Sequence, residues 1–259
     1  MFGFIWYWSK IITVIIIGTL VVWVGYEVLT FPDIAKLKTE NPATTSMIEN
    51  RADEARASGK EPRRLQTWVS INEISPNLQR AVLAGEDTNF YFHHGFDWDA
   101  IQKAWDDARK DAETEAKKEG DNNENDWIPE MPIFKRGAST ITQQLAKNLY
   151  LSTERSFLRK GREAAMTYFL EQELDKRRLL EIYLNVIEWG DGIYGAEAAS
   201  QFYFKKRASA LSTNEAAFLS AMIPSPLNIF NPQKNLKRVQ RRQKAILRGM
   251  PFVKIPANK

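Results

Sequence analysis

Two acidic residues with basic residues between them are the side chains of this chain best suited to chemistry. Glu86 begins the block EDTNFYFHHG, and Glu163 ends the block RKGRE. Carboxylates can act as general acids or bases, and cationic side chains can neutralise a phosphate leaving group. The spacing therefore indicates acid–base chemistry beside a phosphate. The basic residues between the two carboxylates include Lys147, Arg155, Arg159 and Lys160.

The surroundings of Glu86 are apolar on both sides. A helix predicted from Pro76 runs into Glu86, and three aromatic residues follow shortly after it. Burial raises the pKa of a carboxyl group and makes it useful as a general base or acid near neutral pH. In the alternative interpretation Glu86 and Asp87 only cap and solvate a helix end, and Phe90 and His93 are ordinary core and turn residues.

A second block, GASTITQQ at 137–144, predicts a tight turn that leads into a helix. Thr140 and Gln143 fit a capping box, which explains both residues without a substrate. Gln144 and Lys147 lie on the same helical face as Gln143, so they could present amide and ammonium groups to a cleft. A glycine before a helix N-terminus also favours an anion site.

The third block, ERSFLRKGRE at 154–163, concentrates basic side chains beside Glu163. Alone, such a run is typical of a solvated helix start. Near a second carboxylate it could instead neutralise a pyrophosphate, because the planar guanidinium of arginine suits phosphate oxygens.

The elements that must position these residues are mainly helical. Only 68–74 alternates as a strand would, and the charged segment 104–132 is typical of a solvated helix end with a mobile loop, since its acidic residues lack metal-ligand spacing. The predicted fold class is therefore mainly α. Besides the helix from Pro76, helices are predicted over 140–149, 161–185, 195–204, 214–222 and 236–250.

The N-terminus predicts a membrane anchor. Residues 11–26 carry no charge, and an aromatic cluster ending at Lys10 precedes them. A cleavable signal peptide is the alternative, but the apolar run is long for one and lacks a clear cleavage site. Basic residues flank both sides, so the span leaves its orientation open. The predicted divisions are a membrane anchor at 1–31, a stem at 32–67, a catalytic domain at 68–252 and a tail at 253–259.

Composition excludes several classes of protein. With 259 residues, 44% of them hydrophobic, the chain is too apolar to be disordered. A net charge of +4 does not argue for nucleic-acid binding, and the absence of Cys excludes disulfides, thiol nucleophiles and Cys-ligated zinc.

Two further segments could contact a membrane. The aromatic residues of 91–98 either enter the bilayer surface or belong to the core. The basic segment 237–244 is interpreted mainly as a solvated helix face, although it could contact anionic headgroups.

In this order the three blocks resemble those of the peptidoglycan glycosyltransferases of glycosyltransferase family 51. The segments RLLEIYLN at 178–185 and AFLSAMIPSP at 217–226 extend the resemblance over about 68–250. The chain is similar to the monofunctional members, because it is too short for an added transpeptidase domain. The resemblance implies a mainly α, lysozyme-like domain behind one transmembrane helix. It also implies polymerisation of lipid II into β-1,4-linked glycan strands, with release of undecaprenyl pyrophosphate.

The resemblance also implies roles for individual residues. Glu86 would be the general base, and Glu163 would assist at the donor side by holding the pyrophosphate or a metal ion, Mg²⁺ or Mn²⁺. Ala138 and Thr167 depart from common family residues, and 108–128 looks like an insertion. The implied substrate- and pyrophosphate-binding residues are Lys147, Arg155, Arg159, Lys160, Ser139, Thr140, Gln143, Gln144, Asp87, Phe90 and His93.

The implied partners are lipid II, the growing lipid-linked glycan, the membrane, and other cell-wall synthesis and division proteins, with no nucleic acid. The implied location is the cytoplasmic (inner) membrane, crossed once, with the short N-terminus of the 1–31 anchor in the cytoplasm and the catalytic domain on the outer, periplasmic face. One alternative is a lysozyme-like hydrolase or lytic transglycosylase, which would leave the basic residues unexplained. Another is an inactive membrane scaffold for cell-wall assembly, which predicts loss of the acidic pair or its basic partners.

Overall fold

The computed structural model describes residues 2–119, 139–151 and 156–255, and most of these residues are helical. Residues 1–36 and 37–259 form two units, each of which is described by itself. The mainly α fold predicted from the sequence is confirmed.

Helix α1 (Phe2–Leu29) accounts for most of the first unit and corresponds to the predicted anchor. Its segment Trp6–Glu27 is long and apolar enough to cross a membrane, with a mean hydropathy of 1.9. The hydroxyls of Thr13 and Thr19 donate to carbonyl oxygens four residues earlier, at 2.9 and 2.8 Å. These two hydroxyls are thereby satisfied without water, as a lipid environment requires.

The second unit is built from helices with a small sheet. Its helices are α2 (Ser46–Ala57), α3 (Pro76–Glu86), α4 (Trp98–Glu119), α5 (Ile141–Tyr150), α6 (Phe157–Glu173), α7 (Lys176–Val186), α8 (Ala196–Phe204), α9 (Thr213–Met222) and α10 (Pro232–Gly249). The strands are β1 (Leu65–Gln66), β2 (Glu188–Gly190) and β3 (Ile193–Tyr194). They pair in the order β1-β3-β2, with β1 parallel and β2 antiparallel to β3.

Most predicted helices are confirmed, and their starts have the expected caps. The Thr140 hydroxyl accepts from the backbone N–H of Gln143, whose side chain accepts from the Thr140 N–H, so the predicted capping box begins α5. The single helix predicted over 161–185 is wrong, because α6 and α7 are separate. Asp175 interrupts the periodic pattern by capping α7, accepting a hydrogen bond from the Arg178 N–H at 2.7 Å.

The strand predicted over 68–74 is also wrong. Residues Ile71–Glu73 form a 3-10 turn, and the Glu73 carboxylate accepts from the Ser70 N–H at 3.1 Å. Val69 exchanges hydrogen bonds with the side chain of Asn185 rather than with a strand. Hydrogen bonds within this capped turn therefore form in place of the strand that the alternating pattern predicted.

Two groups of packed helices contribute to the core. Helix α9 packs against α3 and α10, and α5 packs against α2, α6 and α7. Leu83 of α3, Leu145 of α5 and Leu219 of α9 are fully buried. Trp189 is also fully buried, and its indole N–H donates to the Leu219 carbonyl at 3.0 Å. Packing against α9 and α10 therefore fixes the position of α3, which ends at Glu86.

The stem predicted over 32–67 needs correction, because the second unit begins at Leu37. Helix α2 packs on α5, and β1 completes the sheet beside β3. Arg51 donates two hydrogen bonds to the carboxylate of Glu188, both at 3.0 Å. The segment is polar overall, so its composition does not indicate the few buried side chains, such as Ile48, that attach it to the domain.

Arg51→Ala should lower the free energy of unfolding by about 2 kcal/mol, because Glu188 would remain buried without its hydrogen-bonded cation. Arg56→Ala, on the same helix, should change it by less than about 0.5 kcal/mol, since the Arg56–Asp53 pair is exposed. Urea unfolding of both detergent-solubilised variants, followed by circular dichroism, measures the difference. Equal effects of the two substitutions would contradict the placement of α2 in the domain.

The charged segment predicted as a helix end and loop begins as helix α4, which continues to Glu119. The remainder of 104–132, and with it the predicted mobility of the loop, lies outside the described residues. The predicted tail is described as far as residue 255, and its Val253 is buried.

Candidate active site

A cleft of about 520 Å³ brings together most of the residues singled out from the sequence. Its walls come from α2, the end of α3, α5, α6, the start of β2 and the segment that follows α9. Arg155 lies outside the described residues. Sequence-predicted residues in the cleft walls are Glu86, Ser139, Gln143, Gln144, Lys147, Arg159, Lys160 and Glu163.

Glu86 is the last residue of α3, and its side chain is only 8% exposed. The carboxylate accepts a hydrogen bond from Gln144 Nε2 at 3.0 Å and another from Arg242 Nη2 at 2.7 Å. Burial raises the pKa of Glu86, whereas Arg242 and Gln144 oppose that rise. The result is a largely buried carboxylate at the edge of a polar cleft, a suitable environment for a general base.

A chain of hydrogen bonds fixes the side chain of Gln144. Tyr183 is fully buried on α7, and its hydroxyl donates to Gln144 Oε1 at 2.8 Å. The amide N–H of Gln144 is thereby directed to Glu86. Burial, together with the nearby Glu86 charge, raises the pKa of Tyr183 well above its ordinary value, so the hydroxyl remains a donor.

Asp87 connects the end of α3 to the start of α5. Its carboxylate accepts from the Ile141 N–H at 2.9 Å and lies 3.0 Å from His93 Nε2. A buried negative charge at the N-terminus of α5 is favourable because of the unpaired N–H groups there. Asp87 therefore holds the start of α5 beside Glu86.

Three other predicted binding residues do not line the main cleft. Phe90 is fully buried and contacts the His93 ring edge to face, at 6.2 Å between ring centroids. Thr140 donates to the Gly95 carbonyl at 2.6 Å, which joins the first block to the start of α5. Thr140 and Asp87 line a smaller pocket of about 80 Å³, which Glu86 also lines.

Lys147, Arg159 and Lys160 form a basic wall of the cleft. Ser156 caps α6 by accepting from the Arg159 N–H at 3.1 Å, which places Arg159 and Lys160 in the first turn. Glu163 is 4% exposed, and its two carboxylate oxygens contact Arg159 Nη1 at 3.1 Å and Lys160 Nζ at 2.5 Å. Glu163 therefore orients two cations of the wall.

Sequence reasoning missed two parts of the site. Arg51 and Glu188 line the cleft, although the sequence predicts the segment that contains Arg51 as stem. Arg242 contacts Glu86 from α10, although the basic run there is typical of a solvated face. Buried Val239 and Ile246 flank Arg242 at helical spacing, so the period of apolar residues could have placed it on the inner face.

The described residues contain no group of three or more His, Asp or Glu side chains that could hold a metal ion. Glu163 is a single carboxylate at the cleft, and both of its oxygens already contact cations. Any divalent ion there would need most of its ligands from elsewhere.

Comparisons with known proteins give a consistent result. The family model described as Transglycosylase matches residues 53–120 and 131–251. The interval between the two matches overlaps the insertion expected at 108–128. Proteins named "Biosynthetic peptidoglycan transglycosylase" from Laribacter hongkongensis and Bordetella pertussis are 41% and 37% identical to this chain. The alignments cover 89% of this chain and 92% of the first relative, and 96% of both chains for the second.

A protein of the same name from Chromobacterium violaceum is 38% identical over 96% of this chain and 100% of its own length.

Proposed function

Because the chain belongs to the transglycosylase family, we propose that it polymerises lipid II into the glycan strands of peptidoglycan and releases undecaprenyl pyrophosphate. One observation carries the proposal: a buried carboxylate, Glu86, and the basic wall line one cleft. The names of the relatives support the same class of reaction. This combination suits transfer of a sugar away from a phosphate leaving group.

In the proposed reaction the 4-hydroxyl of the acceptor sugar attacks the anomeric carbon of the lipid-linked donor. Glu86 takes the hydroxyl proton while the bond between carbon and pyrophosphate oxygen breaks. Each oxygen of Glu86 accepts one protein hydrogen bond, and a carboxylate oxygen has a second lone pair for the substrate hydroxyl. Direct displacement inverts the anomeric carbon and gives the β-1,4 linkage implied by the resemblance.

The basic wall is suited to the leaving group. Negative charge grows on the pyrophosphate as its bond to the sugar breaks, and fixed cations stabilise that charge most in the transition state. Glu163 holds Arg159 and Lys160 in place before substrate arrives. Preorganisation of this kind avoids reorganising the site during the reaction.

A glycan hydrolase fits the cleft less well. Hydrolases of this general type use two carboxylates, one as acid and the other as base or nucleophile. Here the second carboxylate, Glu163, contacts two cations, which favours a role in charge orientation. A hydrolase would also leave the basic wall of the cleft without a function.

The experiment that separates these functions is incubation of the detergent-solubilised chain with labelled lipid II, and separately with preformed glycan strands. Gel electrophoresis should show polymer from lipid II and no cleavage of the strands. Cleaved strands would support the hydrolase, and an unchanged substrate in both reactions would support the inactive scaffold.

We propose that Mg²⁺ or Mn²⁺ accompanies the lipid substrate. Mg²⁺ usually binds through one or two carboxylates together with substrate phosphates. Glu163 would be a single protein ligand that shares its oxygens with Arg159 and Lys160, so the ion would bring its other ligands with it. When bound, the ion would add positive charge near the pyrophosphate. Excess EDTA should then lower the polymerisation rate, and Glu163→Gln should reduce the stimulation by added Mg²⁺. A rate unaffected by EDTA would contradict this assignment.

The proposed location is the inner membrane, crossed once by α1, with the catalytic domain on the outer face. On the second unit the side chains of Phe92 and Trp98 are 73% and 70% exposed, so these two aromatics are not core residues. Exposed aromatic side chains suit contact with a bilayer surface, where a lipid-linked substrate is held.

A reporter that is active only in the periplasm, fused to the C-terminus, should be active. Cross-linking in membranes would identify accompanying cell-wall synthesis and division proteins.

A further inference from the structure

A single nitrogen of Arg242 ties the end of α3 to the carboxylate of Glu86. Arg242 Nη2 donates to the Gly85 carbonyl at 2.8 Å and to Glu86 Oε1 at 2.7 Å. One contact is to the main chain and the other is to the side chain of the following residue. Together they fix the orientation of the carboxylate relative to its own helix.

Arg242 is itself held in place by packing. Val239 and Ile246, which flank it on α10, are buried. The guanidinium carbon lies 5.5 Å from the centre of the Phe230 ring. Gly85 lets α9 and α10 pack closely on the end of α3, because a Cβ atom there would lie 2.8 Å from Ser220 Oγ and 3.1 Å from Ile246 Cδ1. The guanidinium is therefore packed at this junction and only partly exposed.

Arg242 does not line the cleft that the described residues form, whereas Glu86 does. Its side chain is 22% exposed, against 8% for Glu86. A cation that contacts the proposed base without lining the cleft acts on the reaction through that base.

The charges around Glu86 show what Arg242 supplies. Burial favours the neutral acid and raises the pKa of Glu86, and the neighbouring Asp87 adds to that rise. Arg242 and the Gln144 amide lower the pKa of Glu86, and of these two groups only Arg242 carries a full charge. Tyr183 acts on Glu86 through Gln144. Other charged groups in the cleft walls are Lys147, Arg159, Lys160, Glu163, Arg51 and Glu188.

From this geometry we propose that Arg242 is a positioning residue for the reaction proposed above. It keeps Glu86 ionised despite burial and holds one carboxylate oxygen against α3, which leaves the carboxylate oriented to receive the acceptor proton. The inference rests on the proposed function, because it takes Glu86 as the base.

The test is the pH profile of kcat/KM for lipid II polymerisation by the full-length chain. In the wild type, kcat/KM should fall as pH decreases through the raised pKa of Glu86, because the base must be ionised. Arg242→Gln removes a charge that lowers this pKa, so the acid limb should move to higher pH by about 1 unit or more. The loss should be about 10-fold or more on the acid limb and much smaller at high pH.

Arg241→Gln is the matched control, because Arg241 is the exposed neighbour on the same helix. Its profile should overlie that of the wild type. Arg242→Lys keeps a cation but cannot reproduce both contacts of the guanidinium, so its acid limb should lie between the two profiles. Thermal unfolding of each variant checks that the fold is retained.

An equal loss for Arg242→Gln at every pH would show a purely structural role and overturn the inference, as would an unchanged profile. Should the Gln variant not fold, Arg242→Lys decides in its place: an acid limb above the wild type supports the inference, and an unmoved limb overturns it. Absence of polymer from the wild type would contradict the proposed function instead.

Discussion

Glu86→Gln is expected to lower kcat for lipid II polymerisation by about 10³-fold, within the range that general acid–base catalysis contributes. The amide has nearly the same shape as the carboxylate but cannot take a proton from the acceptor hydroxyl. Initial rates of glycan formation, measured with saturating lipid II, give this value.

Glu61→Gln is the control for the first prediction, because Glu61 is exposed and does not line the cleft. It should retain the wild-type rate. Unfolding curves must show that Glu86→Gln remains folded, since the substitution leaves Arg242 without its carboxylate partner. A folded Glu86→Gln variant with the wild-type rate would exclude Glu86 as the base.

Lys147→Gln and Arg159→Gln are each expected to lower kcat by about 10²-fold, the size of effect found when one group that stabilises transition-state charge is removed. Both residues belong to the basic wall, and the negative charge on the leaving group is greatest as the sugar–phosphate bond breaks. The loss should therefore appear in kcat as well as in kcat/KM.

The distribution between kcat and KM is the informative measurement for the basic wall. A higher KM with unchanged kcat would mean that Lys147 and Arg159 bind substrate and transition state equally, which contradicts leaving-group stabilisation. Lys147→Arg keeps the charge and should retain part of the rate. Lys103→Gln removes an exposed charge outside the cleft and should leave both constants unchanged.

The helices and much of the site were predictable because their signals are local. Ser75, Pro76 and the Thr140–Gln143 capping box mark helix starts by hydrogen bonds within a few residues. The blocks around Glu86 and Glu163 each hold their charged and polar residues close together in sequence. We could therefore expect both blocks to line one cleft.

The remaining features depend on contacts between residues distant in sequence. Arg51 reaches Glu188 across 137 positions, and Arg242 reaches Glu86 across 156, so neither contact has a local signature. Phe90 is part of a well-recognised block, yet it is core beneath the site. Membership in a block therefore did not distinguish residues that face the cleft from those that support it.

Two products counted in one reaction test Glu86 as the base for displacement: β-1,4 linkages formed and undecaprenyl pyrophosphate released, for the wild type and for Glu86→Gln. We expect one lipid pyrophosphate per linkage in the wild type, and loss of both products together in the variant. Pyrophosphate release that continues in the folded Glu86→Gln variant, or linkages formed at the wild-type rate, would contradict the assignment of Glu86 as the base for displacement.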